Sequence, residues 1–256
     1  MPQNIVHFLL YYTHYMTLSP NKDPMGKAIL DHVTSGKAKH KLWVKSTLFD
    51  DDEMPVDSLF RTELQMPPLE RTALQICEGK ILDVGAGAGC HTLCLEQKGK
   101  DVTSIDISPL STEARRIRGC KNAVCADFFT DDFGTDFSTI LFMMNGLGIA
   151  GKLTNLPTLL LRCKELLAKG GKVLADSSDL RYLFDQTEDI SQWDYPYDYY
   201  GEVDYKMSYG KCVGNKFDWL YVDFETLSHI ATQCGMTARL IQKGTHYDYF
   251  AEIEVV

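Results

Sequence analysis

At 256 residues the chain can bury roughly 75% of its unfolded surface, enough for one large domain with an appended cap. Apolar residues make up 45% and charged residues 24%, the balance of an ordinary globular protein, and no apolar run is long enough to span a bilayer. A net charge of −9 disfavours a dedicated nucleic-acid binder, which needs a basic stripe along one face.

The first segment, residues 1–19, reads as an extension. Its apolar run Ile5–Tyr12 has no basic residues before it and no small-residue cleavage site after it. Residues 20–79 read as a largely helical cap. Asp23-Pro24 opens a helix with an apolar stripe of Met25, Ile29, Leu30 and Val33 that ends at Ser35-Gly36. Lys41–Phe49 fits a strand or a helix. Pro67-Pro68 then opens a second helix with Leu69, Ala73, Leu74 and Cys77 on one side, closed by Gly79.

From residue 80 strands and helices alternate with short connections, the pattern of a parallel sheet covered on both faces. The strands expected are Ile81–Val84, Val102–Ile105, Ala123–Ala126, Thr139–Met144 and Lys172–Ala175. Helices are expected over Cys90–Lys98, from Ser108-Pro109 to Gly119, and over Leu156–Ala168. An insert, residues 181–222, holds two of the three tryptophans and eight of the thirteen tyrosines, and its alternating pattern around Gly214-Asn215 predicts a β-hairpin. Asp223 caps a helix over Phe224–Gln233, and two final strands, Thr237–Gln242 and Tyr247–Val256, form a closing antiparallel hairpin. The fold expected is therefore α/β: a doubly wound, mostly parallel, seven-stranded sheet over residues 80–256, with the N-terminal cap and the hairpin insert added to it.

Eight scattered cysteines without a C-x-x-C pair read as reduced core thiols of a cytoplasmic protein, and no metal site is expected from their spacing.

The chemistry concentrates at the carboxyl ends of the expected strands, where open parallel sheets bind ligands. Asp83-Val84-Gly85-Ala86-Gly87-Ala88-Gly89 ends the first strand in a glycine-rich turn through which backbone amides can approach a ligand. Asp106 ends the second strand, 19 residues after Gly87, Asp127 the third, and Met144-Asn145-Gly146 the fourth. The glycine spacing differs from the dinucleotide fingerprint, because the third glycine arrives one residue early.

This set resembles the class I S-adenosylmethionine-dependent methyltransferases, well over residues 80–180 and by pattern only over 223–256. The resemblance implies S-adenosyl-L-methionine as cofactor and S-adenosyl-L-homocysteine as product. It implies a cofactor site of Asp83, Gly85, Ala86, Gly87, Gly89, His91, Asp106, Ile107, Asp127, Phe128, Met144, Asn145 and Gly146. Asp106 would take the ribose diol and Asp127 the adenine amino group, with Phe128 against the ring. Arg61, Asn145 and Asp179 are the candidates on the acceptor side. The Asn/Asp-Pro-Pro-aromatic signature of amide methylation and the Pro-Cys of cytosine C5 methylation are both missing at Met144–Gly148. A small-molecule acceptor, with no nucleic-acid or membrane partner, is the resulting expectation. Aromatic residues Trp193, Tyr195, Tyr197, Tyr199 and Tyr200 would serve either as lid core or as a face for a cationic acceptor. Two other readings share parts of the layout: an NAD- or FAD-binding oxidoreductase, and a non-catalytic module that binds the same cofactor.

Overall fold

A computed structural model describes residues 17–183 and 198–256; the expected N-terminal apolar run and Trp193, Tyr195 and Tyr197 lie outside the described residues. Helix α1 (Pro24–Ser35) starts where Asp23 accepts from the Gly26 amide and ends at Gly36 in a left-handed conformation. Two short strands follow, β1 (Leu42–Lys45) and β2 (Asp52–Met54), so the leader is not helical throughout. Helix α2 (Pro68–Ile76) then buries Leu69, Ala73 and Leu74.

The βα alternation follows: β3 (Lys80–Val84), α3 (Cys90–Gln97), β4 (Asp101–Asp106), α4 (Pro109–Ile117), β5 (Ala123–Cys125), β6 (Phe137–Phe142), α5 (Leu156–Leu166) and β7 (Leu167–Ser178). The insert supplies β8 (Glu202–Tyr209) and β9 (Cys212–Leu220). Helix α6 (Phe224–Gln233), capped by Asp223, leads to β10 (Met236–Lys243) and β11 (Asp248–Val255).

Seven strands form one sheet in the order β10-β11-β7-β6-β3-β4-β5. Strands β7, β6, β3, β4 and β5 pair in parallel, and β11 runs antiparallel between β7 and β10. The order reverses at β3, which starts the sheet in its middle and so leaves its carboxyl end beside both β4 and β6. Both faces are covered. On one, Leu82, Ile140, Phe142, Val173 and Ala175 pack with Leu156, Leu159, Leu160 and Cys163 of α5 and Leu227 and Ala231 of α6. On the other, Ile81, Leu141, Leu174 and Phe250 pack with α2 and with Cys90, Cys94 and Leu95 of α3. Each large apolar side chain buried in this way contributes roughly 1.5–3 kcal/mol.

The cap and the insert form a second sheet, β2-β1-β8-β9, in which Leu42 of β1 faces Tyr209 of β8 across the chain. The hairpin turn lies at Gly210-Lys211 and not at Gly214-Asn215. Gly210 adopts φ +55°, which suits a tight turn, whereas Gly214 sits inside β9, where an added Cβ would lie 3.2 Å from Cδ of Pro24. The glycine there serves close packing of β9 on the start of α1.

Candidate functional site

The glycine turn takes its shape from three positive backbone angles, at Gly85 (φ +68°), Gly87 (+51°) and Gly89 (+82°). Ala86 N donates to Ile105 O at 3.0 Å, tying the turn to β4, and Gly89 N donates to Ala86 O at 2.7 Å. A Cβ at Gly85 would meet nothing within 4 Å and one at Gly87 only the Gly85 carbonyl at 3.9 Å, so the space before the turn is open. That open cradle, with amides on a short arc, fits a polar ligand.

Asp106, at the end of β4, is joined to the turn. Gly87 N donates to its Oδ2 and Ser108 N to its Oδ1, both at 2.8 Å. Each oxygen keeps a further lone pair, the acceptor pair a ribose diol needs. Beneath the turn lies Arg115, a fully buried arginine that local sequence did not single out. Its Nη1 donates to Gly87 O at 3.0 Å and lies 3.7 Å from Asp106 Oδ2, while Nη2 donates to Val124 O and Thr112 Oγ1. Arg118 adds a hydrogen bond to Ala88 O. Arg115 of α4 and Arg118 at its C-cap thus fix the turn from below; an arginine on an amphipathic helix ordinarily reads as surface, so no local signal marked them.

Asp127 is 3% exposed; its Oδ1 accepts from Phe129 N at 2.7 Å, and burial raises its carboxyl above the usual range. Ile107 is half-buried, its carbonyl held by Leu18 N at 2.9 Å. Two expected site residues are enclosed by the scaffold. Asp83 is 2% exposed and accepts from Thr92 Oγ1 at 2.5 Å, so its side chain braces the start of α3. Phe128 is enclosed between Phe129, Phe133 and Phe142, and its ring belongs to the core.

Arg61 also moves. Its Nη2 lies 2.6 Å from both carboxylate oxygens of Glu70, whose Oε2 lies 2.7 Å from His91 Nε2. All three side chains are largely buried. Burial opposes charge at both Glu70 and His91, yet their partners together outweigh it: His91 and Arg61 hold Glu70 below the usual carboxylate range, and Cys90, Glu70 and Asp83 hold His91 well above the usual imidazole value. Arg61 is therefore a strut between the cap and α3 and not a free cation facing an acceptor, and His91 turns towards α2.

At the end of β6, Met144 and Asn145 both adopt left-handed angles, φ +61° and +57°, which non-glycine residues rarely hold without support. The support is Asp176 of β7, whose Oδ1 accepts from Asn145 N at 3.0 Å, with Ser178 Oγ donating to Asn145 Oδ1 at 3.2 Å. Burial pushes the Asp176 carboxyl up to about 7, with Glu70 adding to the rise and His91 opposing it. Gly146 begins a 3₁₀ turn, Gly146–Ala150, against which Trp219 of β9 packs. In sequence Asp176 is one residue of the polar run Asp176–Asp179 that follows the expected strand Lys172–Ala175, and its bond to Asn145 is what brings it to the end of β6. Asp179 stands further along the chain, accepting from Tyr200 Oη and Arg181 N, both at 3.0 Å, while Tyr199 and Tyr200 both bond Asp223. These aromatic hydroxyls are committed to carboxylates of the scaffold.

The methyltransferase domain family model matches residues 82–175. A S-adenosylmethionine-dependent methyltransferase from Bacteroides fragilis, solved in complex with S-adenosyl-L-homocysteine, is 50% identical, with a TM-score of 0.87 over 94% of this chain and 98% of that one. The CcbJ methyltransferase from Streptomyces caelestis is 14% identical, with a TM-score of 0.57 over 77% of this chain and all but 1% of its own, a 99% coverage. The sugar N-methyltransferase KedS8 from Streptoalloteichus sp ATCC 53650 is likewise 14% identical, with a TM-score of 0.53 over 82% and 96% of the two chains. These two share the fold. No curated protein sequence matches the chain.

Proposed function

The chain belongs to the S-adenosylmethionine-dependent class I methyltransferases, and from that premise we propose how its rim residues divide the work and what kind of acceptor they serve. The observation that carries the assignment is Asp106, a carboxylate at the end of β4 held by Gly87 N and Ser108 N with acceptor capacity left over. It takes the ribose diol. The turn Gly85–Gly89 takes the methionine part and Ile107 flanks the adenine, whose amino group meets the lone pairs of Asp127 that its own loop leaves over. With the ribose at β4 and the adenine towards β5, the reacting end lies towards β6 and β7, at Met144, Asn145, Gly146 and Asp176.

The cofactor supplies a methyl group on a sulfonium for in-line displacement by the acceptor. The chain then has to align the acceptor and exclude water, a positioning effect worth roughly 7–11 kcal/mol of barrier. The Asn145 side chain orients the acceptor. Asp176, able to hold a proton near neutral pH, receives the proton of a hydroxyl or ammonium acceptor. The second sheet covers this end through Trp219 on the 3₁₀ turn, which supports reading residues 20–66 and the insert as one cap, while α2 packs on the main sheet. An acceptor of small-molecule size suits a cap that packs this closely, and the charge of −9 speaks against a nucleic-acid partner. Eight free thiols suit a reducing compartment such as the cytoplasm.

Isothermal titration with S-adenosyl-L-homocysteine tests the assignment. Asp106→Ala should weaken binding by at least tenfold while the fold is retained, since a buried diol loses a charged partner worth about 1.5–3 kcal/mol. Unchanged affinity in the folded variant removes Asp106 from the ribose site.

A further inference from the structure

We propose that Ser108 and Asp23 are positioning residues for the ribose: a joint between the N-caps of α1 and α4 holds Asp106 in its binding geometry, so cofactor affinity depends on α1 being docked. This rests on the assignment of the ribose to Asp106.

The joint is built from four hydrogen bonds. Asp23 caps α1 by accepting from Gly26 N at 2.8 Å, and Ser108 caps α4 by accepting from Ser111 N at 2.8 Å. The Ser108 hydroxyl donates to Asp23 Oδ2, linking two caps 85 residues apart in sequence. The Ser108 amide donates to Asp106 Oδ1. A serine that only caps a helix uses its oxygen as an acceptor. Here the same residue also gives its hydroxyl proton to one carboxylate and its amide proton to another. Ser108 is thus the shared donor between Asp23, in the cap, and Asp106, at the ribose position.

The surroundings are arranged for this contact. Asp23 is 1% exposed and Ser108 4%. A Cβ at Gly26 would lie 2.2 Å from Asp23 Oδ2 and 2.3 Å from Ser108 Oγ, so α1 approaches α4 only because residue 26 has no side chain. On the other side of the linker, Leu18 N donates to Ile107 O at 2.9 Å. The segment 18–26 therefore grips the linker 106–108 at two points. Burial raises the Asp23 carboxyl and the nearby charge of Asp106 raises it further, which marks the two carboxylates as electrostatic neighbours with Ser108 between them. If α1 lifts away, the Ser108 hydroxyl loses its acceptor, the linker loses its anchors, and Oδ1 of Asp106 loses a fixed donor.

A double-mutant cycle read by isothermal titration tests the coupling, with S-adenosyl-L-homocysteine and adenosine as probes and apo melting temperatures measured alongside. Ser108→Ala and Asp23→Asn should each weaken both probes by about three- to tenfold, because the effect sits at the ribose, and Ser108→Thr should stay within about twofold of the parent. In an Asp106→Asn background the same changes should cost less than about twofold. Should Ser108→Ala fail to fold, Asp23→Asn carries the test, since it leaves the α4 cap in place. Lower melting temperatures with unchanged dissociation constants, or losses of full size in the Asp106→Asn background, reduce the joint to a structural contact and overturn the proposal. If Asp106→Asn itself leaves affinity unchanged, the ribose assignment fails first; if it weakens binding and the joint variants do not, the coupling alone fails.

Discussion

Asp176 is the residue whose chemistry departs furthest from what its sequence neighbours suggest. Read locally, Asp176-Ser177-Ser178-Asp179 is a polar loop after a strand. In the fold, β7 continues to Ser178, and Asp176 shares a sheet face with Leu174, on the side of α2 and α3. The titratable groups that act on it are Glu70 from α2 and His91 from α3, and it acts in turn on Tyr249 of β11. A carboxyl raised to about 7 binds its proton more tightly when folded than when unfolded. Its contribution to stability is therefore present in acid and is lost as pH rises from about 4 to about 7, by a sum on the order of 4 kcal/mol. Asp176→Asn keeps the acceptor for Asn145 N but removes the titration. Denaturant unfolding should show the variant close to the parent at pH 4 and relatively more stable at pH 8. An identical difference at both pH values would show that Asp176 titrates like a surface carboxyl.

At the level of elements, the joint between β9 and the 3₁₀ turn Gly146–Ala150 controls how the cap meets the reacting end. Gly148 does not hold a positive φ, so alanine there carries no backbone strain. The obstacle is space: a Cβ would lie 2.1 Å from Nε1 of Trp219 and 2.2 Å from its Cε2. Gly148→Ala should destabilise the fold by about 1–3 kcal/mol and shift the tryptophan emission, as overpacking forces the indole off the turn. Trp219→Phe should relieve part of that loss in the double variant. Equal losses with and without Trp219 would place the strain elsewhere. Most helices and strands of residues 80–180 were legible in the sequence, because each has its own periodicity and α4 also has a cap in Ser108-Pro109; β7 runs longer than expected, over Leu167–Ser178. Strand β1 was left open between strand and helix and β2 was not read, since at four and three residues they are too short to carry a period.

Across the whole molecule, the apolar cores differ in extent. The main sheet has continuous clusters on both faces, whereas the cap rests on small ones such as Ala28, Leu42, Val56 and Tyr209. Fewer buried apolar groups mean cheaper local opening. Residues 20–66 and 198–222 should therefore exchange their amide hydrogens faster than β3, β6 and β7 in the free protein, and slow when S-adenosyl-L-homocysteine is added. Equal protection of both regions, with and without the product, would describe a rigid preformed cap. The coupling of α1 to Asp106 through Ser108 gives this closure a route to the cofactor.

The sequence by itself determined where the polar strand ends fall: the glycine turn, Asp106, Asp127 and the Asn145 turn all sit at strand ends, and a strand end is marked locally by an apolar run stopping at a polar or glycine residue. Gly87 and Asp106, only 19 residues apart, meet because consecutive parallel strands place their carboxyl ends side by side. Only the tertiary structure decided which charges are buried and with whom. Arg61 meets Glu70 and His91, Arg115 lies under Gly87, Asp176 holds Asn145, and Asp23 finds Ser108. Likewise β1 pairs with β8, some 160 residues on, to make the cap a sheet. The physical reason is common to these cases: periodicity reports which face of an element is apolar, but a polar side chain is solvated or buried according to what packs over it, and that neighbour is set by long-range pairing that no local pattern encodes.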